Sequence, residues 1–298
     1  MLEQMVVTGD GRNDLVIGAV TNYTWDQIKY WCNSLDRSGF KGIKAVVAYN
    51  LDNATLSELS SRDYSICCFE KTPDGVRYPE KDFAIVVDRF LHYYLMLNND
   101  ENRKKIRYVV ATDMKDVVFQ KNPSDFLSRP AIGAYGLILS SEGIAYQHEP
   151  WGANNLLQSF GAHVYEQHKR NTIVNCGVLA GEFDVFMGLC MTLYLMCGGA
   201  PRHVPGGGGP DQAALNLLFN TQAYREISLR TSHVDDWAAQ LGTMMDPQKI
   251  NAYKPFLTEP MPTFTSEGVV NVQGESFTIV HQWDRVPEVK EYVERTYA

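Results

Sequence analysis

The 298-residue chain has no glycine-rich phosphate loop: neither G-x-x-x-x-G-K-[ST] nor G-x-G-x-x-G follows its first apolar run. P-loop hydrolases and dinucleotide-binding folds, which cradle phosphates on the backbone N–H groups of such loops, are thereby disfavoured. Positive charge is also scarce, with 27 Lys and Arg against 35 Asp and Glu and a net charge of -8. Nucleic acid and anionic membrane surfaces reward clustered cations, so neither is expected as a partner. No apolar run approaches the roughly 20 residues that span a bilayer. Met1 to Asp14 lacks the basic-then-apolar profile of a signal peptide. None of the six cysteines stands in C-x-x-C spacing. Most lie in apolar runs such as Tyr64-Ser-Ile-Cys-Cys-Phe69, which suits small buried hydrophobes in a reducing compartment better than a disulfide frame. Two N-x-[ST] sequons occur, at Asn22 and Asn53, and a glycan on Asn22 would obstruct a strand end where a ligand is expected. The expectation is a cytoplasmic protein with no transmembrane segment; a soluble catalytic fragment of a membrane-anchored parent is the alternative.

What the chain does contain is ordinary for a globular protein, at 45% hydrophobic and 21% charged residues, and it is long enough to bury a sizeable core. Its first half alternates strand and helix signals. Leu15 to Val20 reads as a strand, and Thr24-Trp-Asp-Gln27 has the spacing of a capping box that opens a helix to about Arg37. Ile43 to Ala48 and Tyr64 to Phe69 read as strands, Ser57 to Ser61 as part of a short helix, Phe83 to Leu97 as a helix and Arg107 to Ala111 as a fourth strand. In the second half, strands are predicted at Ala131 to Leu139, Thr172 to Leu179 and Phe277 to Val280. Helices are predicted at Trp151 to His168, Phe183 to Cys197, Asp211 to Phe219 and from about Pro287. Strands separated by helices at this spacing imply an α/β fold, a doubly wound, mostly parallel sheet flanked by helices. No linker divides the chain, so a single domain over 1–298 is predicted. Gly206 to Gly209 is the one low-complexity tract, read as a loop over the site.

The segment Arg107-Tyr-Val-Val-Ala-Thr-Asp113-Met-Lys-Asp116-Val-Val-Phe119 concentrates the chemistry. An apolar strand delivers two carboxylates to its carboxyl end, where open α/β sheets keep their ligand crevice. Two such carboxylates repel unless a cation lies between them, and hard divalent cations favour oxygen ligands and bridging phosphates. The plain alternative is a strand followed by a solvated acidic turn.

Asp113-x-x-Asp116-Val-Val-Phe-Gln-x-x-Pro123 resembles the variant D-x-D region of GT-A-fold, nucleotide-sugar-dependent glycosyltransferases, here as D-x-x-D. Three further segments follow in the order that fold requires: Asn175-Cys-Gly-Val-Leu-Ala-Gly181, Gly209-Pro-Asp211-Gln212-x-x-x-Asn216 and Ile279-Val-His281-Gln-Trp-Asp284-Arg285. The resemblance spans Leu15 to Arg285. It implies a metal-dependent enzyme, a hexosyl- or pentosyltransferase, moving a sugar from a nucleoside-diphosphate sugar to a hydroxyl of a glycan or other acceptor. A UDP-sugar is favoured and a GDP-sugar comes second. It also implies a nucleotide-binding half at about 15–120 and an acceptor-binding half at about 121–298 that carries the C-terminal metal-ligand strand.

Residue by residue, the resemblance makes Asp116 a direct metal ligand and Asp113 a ligand of the ribose, or of the metal through water. It makes His281 a third metal ligand; without it, His281 reads as a structural histidine. Mixed carboxylate and imidazole ligation tilts the ion to Mn²⁺ over Mg²⁺. Asn175 and Gly177 fall at donor-sugar and acceptor contacts, or else form a turn after a core strand. Arg285 is assigned to the diphosphate, with a salt bridge to Asp284 or Glu288 as the alternative. Asp211 and Gln212 are the catalytic candidates at a helix start, where Asp211 otherwise serves as a cap. Thr21, Asn22 and Tyr23 meet the nucleotide base, or cap a strand end. Arg89, in an otherwise apolar helix, needs an anionic partner, either an Asp88-type pairing or the nucleotide phosphates. Trp151, Asn154, His163 and Asp235-Asp236-Trp237 are candidates for the acceptor face. Competing readings are a sugar-1-phosphate nucleotidyltransferase, which would want a glycine-rich loop where Thr21-Asn-Tyr-Thr24 stands, and a catalytically inactive sugar-nucleotide-binding protein.

Overall fold

A computed structural model describes residues 5–7, 12–69, 71–72, 75–76 and 84–298. The apolar runs of the first half become β1 (Asn13–Thr21), β2 (Ile43–Tyr49), β3 (Ser65–Cys68) and β4 (Ile106–Thr112). Between them lie α1 (Trp25–Arg37), α2 (Asn53–Ser61) and α3 (Ile85–Leu97). The capping signal before α1 is realised, with the Thr24 N–H donating to Gln27 Oε1 at 3.0 Å. Phe83, predicted to open α3, lies outside the described residues.

The second half supplies β5 (Val117–Phe119), β6 (Leu137–Ala145), α4 (Pro150–His168), β7 (Thr172–Glu182), α5 (Phe183–Cys197) and α6 (Asp211–Phe219). β8 (Ser228–Thr231), β9 (Ala238–Gln240), β10 (Ile279–His281) and α7 (Pro287–Thr296) complete the principal elements. The strand predicted over Ala131 to Leu139 is displaced: Ile132–Ala134 is a 3-10 turn and β6 runs Leu137–Ala145. Every residue of β6 is buried, but Ser140, Ser141 and Glu142 interrupt its apolar pattern and hide it from a hydrophobicity reading. α4 is kinked at Gly161, whose φ of 86° departs from the helix.

Seven strands form one sheet in the order β8-β6-β7-β4-β1-β2-β3. The pairs β1/β2, β2/β3, β1/β4 and β8/β6 are parallel, while β7 runs antiparallel to both neighbours. Successive side chains alternate between the faces. Leu15 and Ile17 bury against α3, α5 and α6, whereas Val16 and Val20 bury against α1 and α2. Each fully buried Leu, Ile or Val side chain contributes about 1.5–3 kcal/mol, so both helical layers are held on by the same strands.

A second sheet, β9-β10-β5, positions the site. β10 pairs antiparallel with β5, setting His281 opposite Val117, and parallel with β9, setting Gln240 beside His281. Val117 directly follows Asp116, so the C-terminal histidine is brought to the central carboxylates by strand register rather than by loop placement.

Candidate active site

β4 ends at Thr112, and Asp113 carries its ladder one step further, its N–H donating to the Gly177 carbonyl at 2.9 Å. His281 Nε2 lies 3.6 Å from Asp113 Oδ2 and 3.5 Å from Asp116 Oδ1. One ligand atom from each of the three lies within 4.8 Å of the others. A divalent cation with bonds of about 2.0–2.1 Å spaces neighbouring ligands about 3 Å apart, and the two His281 contacts, at 3.5 and 3.6 Å, lie about half an ångström from that spacing.

The surroundings of His281 also fit a metal. Its Nδ1 donates to Gln240 Oε1 at 2.7 Å, and Gln240 Nε2 donates to Ser140 Oγ at 2.7 Å. The Gln240 backbone N–H in turn donates to His233 Nε2 at 3.1 Å, and His233 Nδ1 pairs with Glu259 at 2.8 Å. With Nδ1 committed, Nε2 is the nitrogen presented to the carboxylates, the tautomer a metal ligand requires. With no ion bound, burial opposes a charge on His281, but Asp116 and Asp113 outweigh it and push its pKa up to about 10.

Arg89 is buried behind this cluster. Its Nη1 donates to Asp113 Oδ1 at 2.5 Å, and its Nη2 to Asp211 Oδ2 at 3.1 Å and to the Cys176 carbonyl at 3.2 Å. Asp113 thus gives one oxygen to Arg89 and turns the other toward His281. The Asp88 pairing considered for Arg89 goes instead to Arg202, at 2.6 Å. Asp211 is the first residue of α6, after Pro210 at the cap position, and its Oδ2 accepts from Arg89. Burial raises the Asp211 pKa to about 6 against the pull of Arg89, with Asp113 adding repulsion. Burial likewise works on Asp113, but Arg89 and His281 hold its carboxyl well below the usual range.

A cleft of 570 Å³ runs along this cluster, lined by Arg89, Asp113, Asp116, Asn175, Gly177, Asp211, Gln212, His281 and Arg285 together with the loop at Gly207 and Gly208. Gly177 is required by crowding: a Cβ there would stand 2.7 Å from Asp113 Oδ2, 3.0 Å from Asn175 Oδ1 and against the His281 ring. A neighbouring cavity of 250 Å³ is lined by Thr21, Tyr23, Met114 and Lys115 and shares Val86, Arg89, Asp113, Asp116 and Arg285 with the cleft. Thr21 Oγ1 is buried with no hydrogen-bond partner among the described residues. Arg285 stands 3.9 Å from Asp116 and 3.4 Å from Asp284. Asn22 is exposed, in the left-handed region at φ 57°, and lines neither cavity.

Of the acceptor-face candidates, Trp151 alone lines the cleft. Asn154 donates to the Pro205 carbonyl, and exposed His163 pairs with Gln167. Asp235 turns back on Ser232, Asp236 is held by Arg129 and Lys121, and Trp237 is fully buried against Phe126.

Two buried residues escaped the sequence reading. Gln240 gives no signal in a short strand. Glu142 gives one: it is a carboxylate inside a buried strand, and the reasoning applied to Arg89 would have singled it out. Its Oε1 accepts from Asn175 Nδ2 at 2.9 Å and Gln212 Nε2 at 3.1 Å. Burial, then the nearby Glu149 charge, push its pKa up to about 7. The carbonyls of the same two amides accept from the backbone N–H groups of Gly177 and Cys176, so this wall is fixed in orientation.

No protein-family model and no curated protein sequence matches the chain. Solved structures do. The bifunctional glycosyltransferase WbbM, in its apo structure, superposes over 98% of this chain and 50% of its own length, with a TM-score of 0.56 at 14% identity. The galactosyltransferase LgtC, in complex with donor and acceptor sugar analogs, superposes over 94% of this chain and 95% of its own, with a TM-score of 0.54 at 12% identity. The chain therefore spans about half the WbbM chain and nearly all of LgtC. It has the fold of GT-A glycosyltransferases.

Proposed function

We propose that the chain is a metal-dependent glycosyltransferase, transferring a sugar from a nucleoside-diphosphate sugar to a hydroxyl of a glycan or another acceptor. A UDP-sugar is the first choice of donor and a GDP-sugar the second. The observation that carries the reading is the convergence of Asp113, Asp116 and His281, from two strand ends, on one cleft at the carboxyl edge of the sheet. The shared fold with LgtC, whose structure holds donor and acceptor sugar analogs, supports it.

On this reading the chain acts as one unit, with the nucleotide side at about 15–120 and the acceptor side at about 121–298. Asp116 and His281, with Asp113 directly or through water, hold Mn²⁺ or, more weakly, Mg²⁺. When bound there, such an ion would supply neutralisation of the diphosphate and of the charge it gains on leaving. Thr21 and Tyr23 take the base and ribose in the smaller cavity, and Arg285 offers its planar fork to the phosphates. Asn175, Gly177 and Gln212 hold the transferred sugar. In an inverting reaction Asp211 takes the proton of the acceptor hydroxyl, a task suited to a carboxylate whose pKa burial has raised to about 6. In a retaining reaction it orients the donor sugar and stabilises positive charge at the anomeric carbon.

The test is release of UDP or GDP from a panel of nucleotide sugars with Mn²⁺ present. Turnover is expected to vanish in excess chelator and in Asp116→Asn, and to return with Mn²⁺ in the wild type only. Full turnover in chelator contradicts the metal assignment.

A further inference from the structure

We propose that the end of the cleft remote from the smaller cavity is a subsite for a neutral pyranose, so that the acceptor is a saccharide with Trp151 as its stacking platform. This deepens the transferase reading and rests on it for the word acceptor, but the binding claim stands on the geometry below.

The two cavities meet at Arg89, Asp113, Asp116 and Arg285. Whatever lies with its base in the smaller cavity has its phosphates at that junction and its sugar just beyond. Trp151, Glu149, Asp246, Gln248 and Lys249 line the larger cleft and not the smaller cavity. They form the part that a donor reaching in from Thr21 and Tyr23 leaves for a second substrate.

Trp151 is 39% exposed, and an exposed tryptophan taken alone means little. Here it is mounted rigidly. Pro150 begins α4, and Glu149 caps it by accepting from the backbone N–H groups of Trp151 and Gly152. Tyr253 holds the capping carboxylate with its hydroxyl at 2.8 Å. The same helical turn is tied to the glycine loop, with Asn154 donating to the Pro205 carbonyl at 2.7 Å and Asn155 to the Gly209 carbonyl at 2.8 Å. Gly208, at φ 80°, comes so close to the indole that a Cβ would stand 3.1 Å from Cζ2. The indole is thus pre-positioned at the cleft before any ligand arrives, which spares the ordering cost of binding.

The chemistry around it selects the ligand class. A flat aromatic beside carboxylate and amide acceptors suits a pyranose, whose C–H face packs on the ring while its hydroxyls donate to oxygens. Glu149, Asp246 and Lys249 line this end, with Lys249 Nζ 4.0 Å from Asp246 Oδ2. Among the described residues, the charges lining this end are the Glu149 and Asp246 carboxylates and the Lys249 ammonium, a balance that disfavours a phosphorylated or acidic acceptor and accepts a neutral one.

Saturation-transfer NMR and calorimetry with neutral methyl pyranosides and disaccharides, on the whole chain with and without UDP and Mn²⁺, test this. The expected result is saturable binding of at least one neutral saccharide, weakened about tenfold in Trp151→Ala and less in Trp151→Phe. UDP affinity should stay unchanged in both variants, which shows that the remainder of the cleft is intact. Saccharide binding that ignores Trp151→Ala, or UDP binding with no saccharide binding while a Ser- or Tyr-containing peptide binds, overturns the subsite and leaves the donor reading standing. Saccharide binding that needs Trp151 in a protein that binds no nucleotide supports the subsite and overturns the transferase reading.

Discussion

Replacing Gln240 with leucine removes the carbonyl that accepts from His281 Nδ1 at 2.7 Å. Both residues are buried, Gln240 at 0% and His281 at 3% exposure, so water cannot restore the bond. A buried donor left unpaired costs about 1–3 kcal/mol, and loss of a residue that orients a metal ligand lowers metal affinity about 10–100-fold. The two figures agree, since tenfold corresponds to about 1.4 kcal/mol. Gln240→Leu is therefore expected to weaken Mn²⁺ binding 10–100-fold, read from free Mn²⁺ by electron paramagnetic resonance at neutral pH. Gln240→Glu keeps an acceptor and makes the imidazole more basic, so it should bind Mn²⁺ at least as tightly as the wild type. If Gln240→Leu binds the ion with unchanged affinity, Gln240 does not orient His281 and the tautomer argument fails.

Asp211→Asn should cut kcat about a hundredfold to ten-thousandfold while the nucleotide dissociation constant stays within about twofold. Near-normal turnover with only a lower melting temperature would reduce Asp211 to a structural partner of Arg89. Glu142 has a folded pKa of about 7 against an ordinary 4.5, so its protonated form is favoured by folding. That stability is fully present below pH 4.5 and is lost as pH rises through about 7, on the order of 3 kcal/mol at about 1.36 kcal/mol per pH unit. Denaturant unfolding of Glu142→Gln should show that segment of the pH profile flattened; a slope equal to the wild type's contradicts the assignment.

Much of the donor side was legible because its signals are local. Apolar runs bounded by turn residues gave β1, β2 and β4, the Thr24–Gln27 pair gave the start of α1, and Asp113 and Asp116 follow directly from the end of a strand. His281 was reached only through the family resemblance; its register opposite Val117 comes from pairing between segments far apart in the chain, which no periodicity reports. β6 was misplaced because Ser140, Ser141 and Glu142 are polar residues turned inward. The same inversion concealed Glu142 and, on β9, Gln240. Asn22 followed Thr21 and Tyr23 into the candidate set by adjacency, but its positive φ turns the chain there and leaves it outside both cavities. Asp235 to Trp237 and His163 suit sugar contacts by composition alone; the fold commits Asp236 to Arg129 and Lys121 and Trp237 to the core.

Calorimetric titration of UDP into the wild type and Asp116→Asn, each with Mn²⁺ and with chelator, shows whether Asp116 carries a cation that the nucleotide needs, because an ion held by both would couple the two affinities. The expected result is binding strengthened about tenfold or more by Mn²⁺ in the wild type and insensitive to Mn²⁺ in Asp116→Asn, with both proteins equally folded. Equal UDP affinity with Mn²⁺ and with chelator in the wild type, or tighter binding of ATP or NAD than of UDP and GDP, would contradict it.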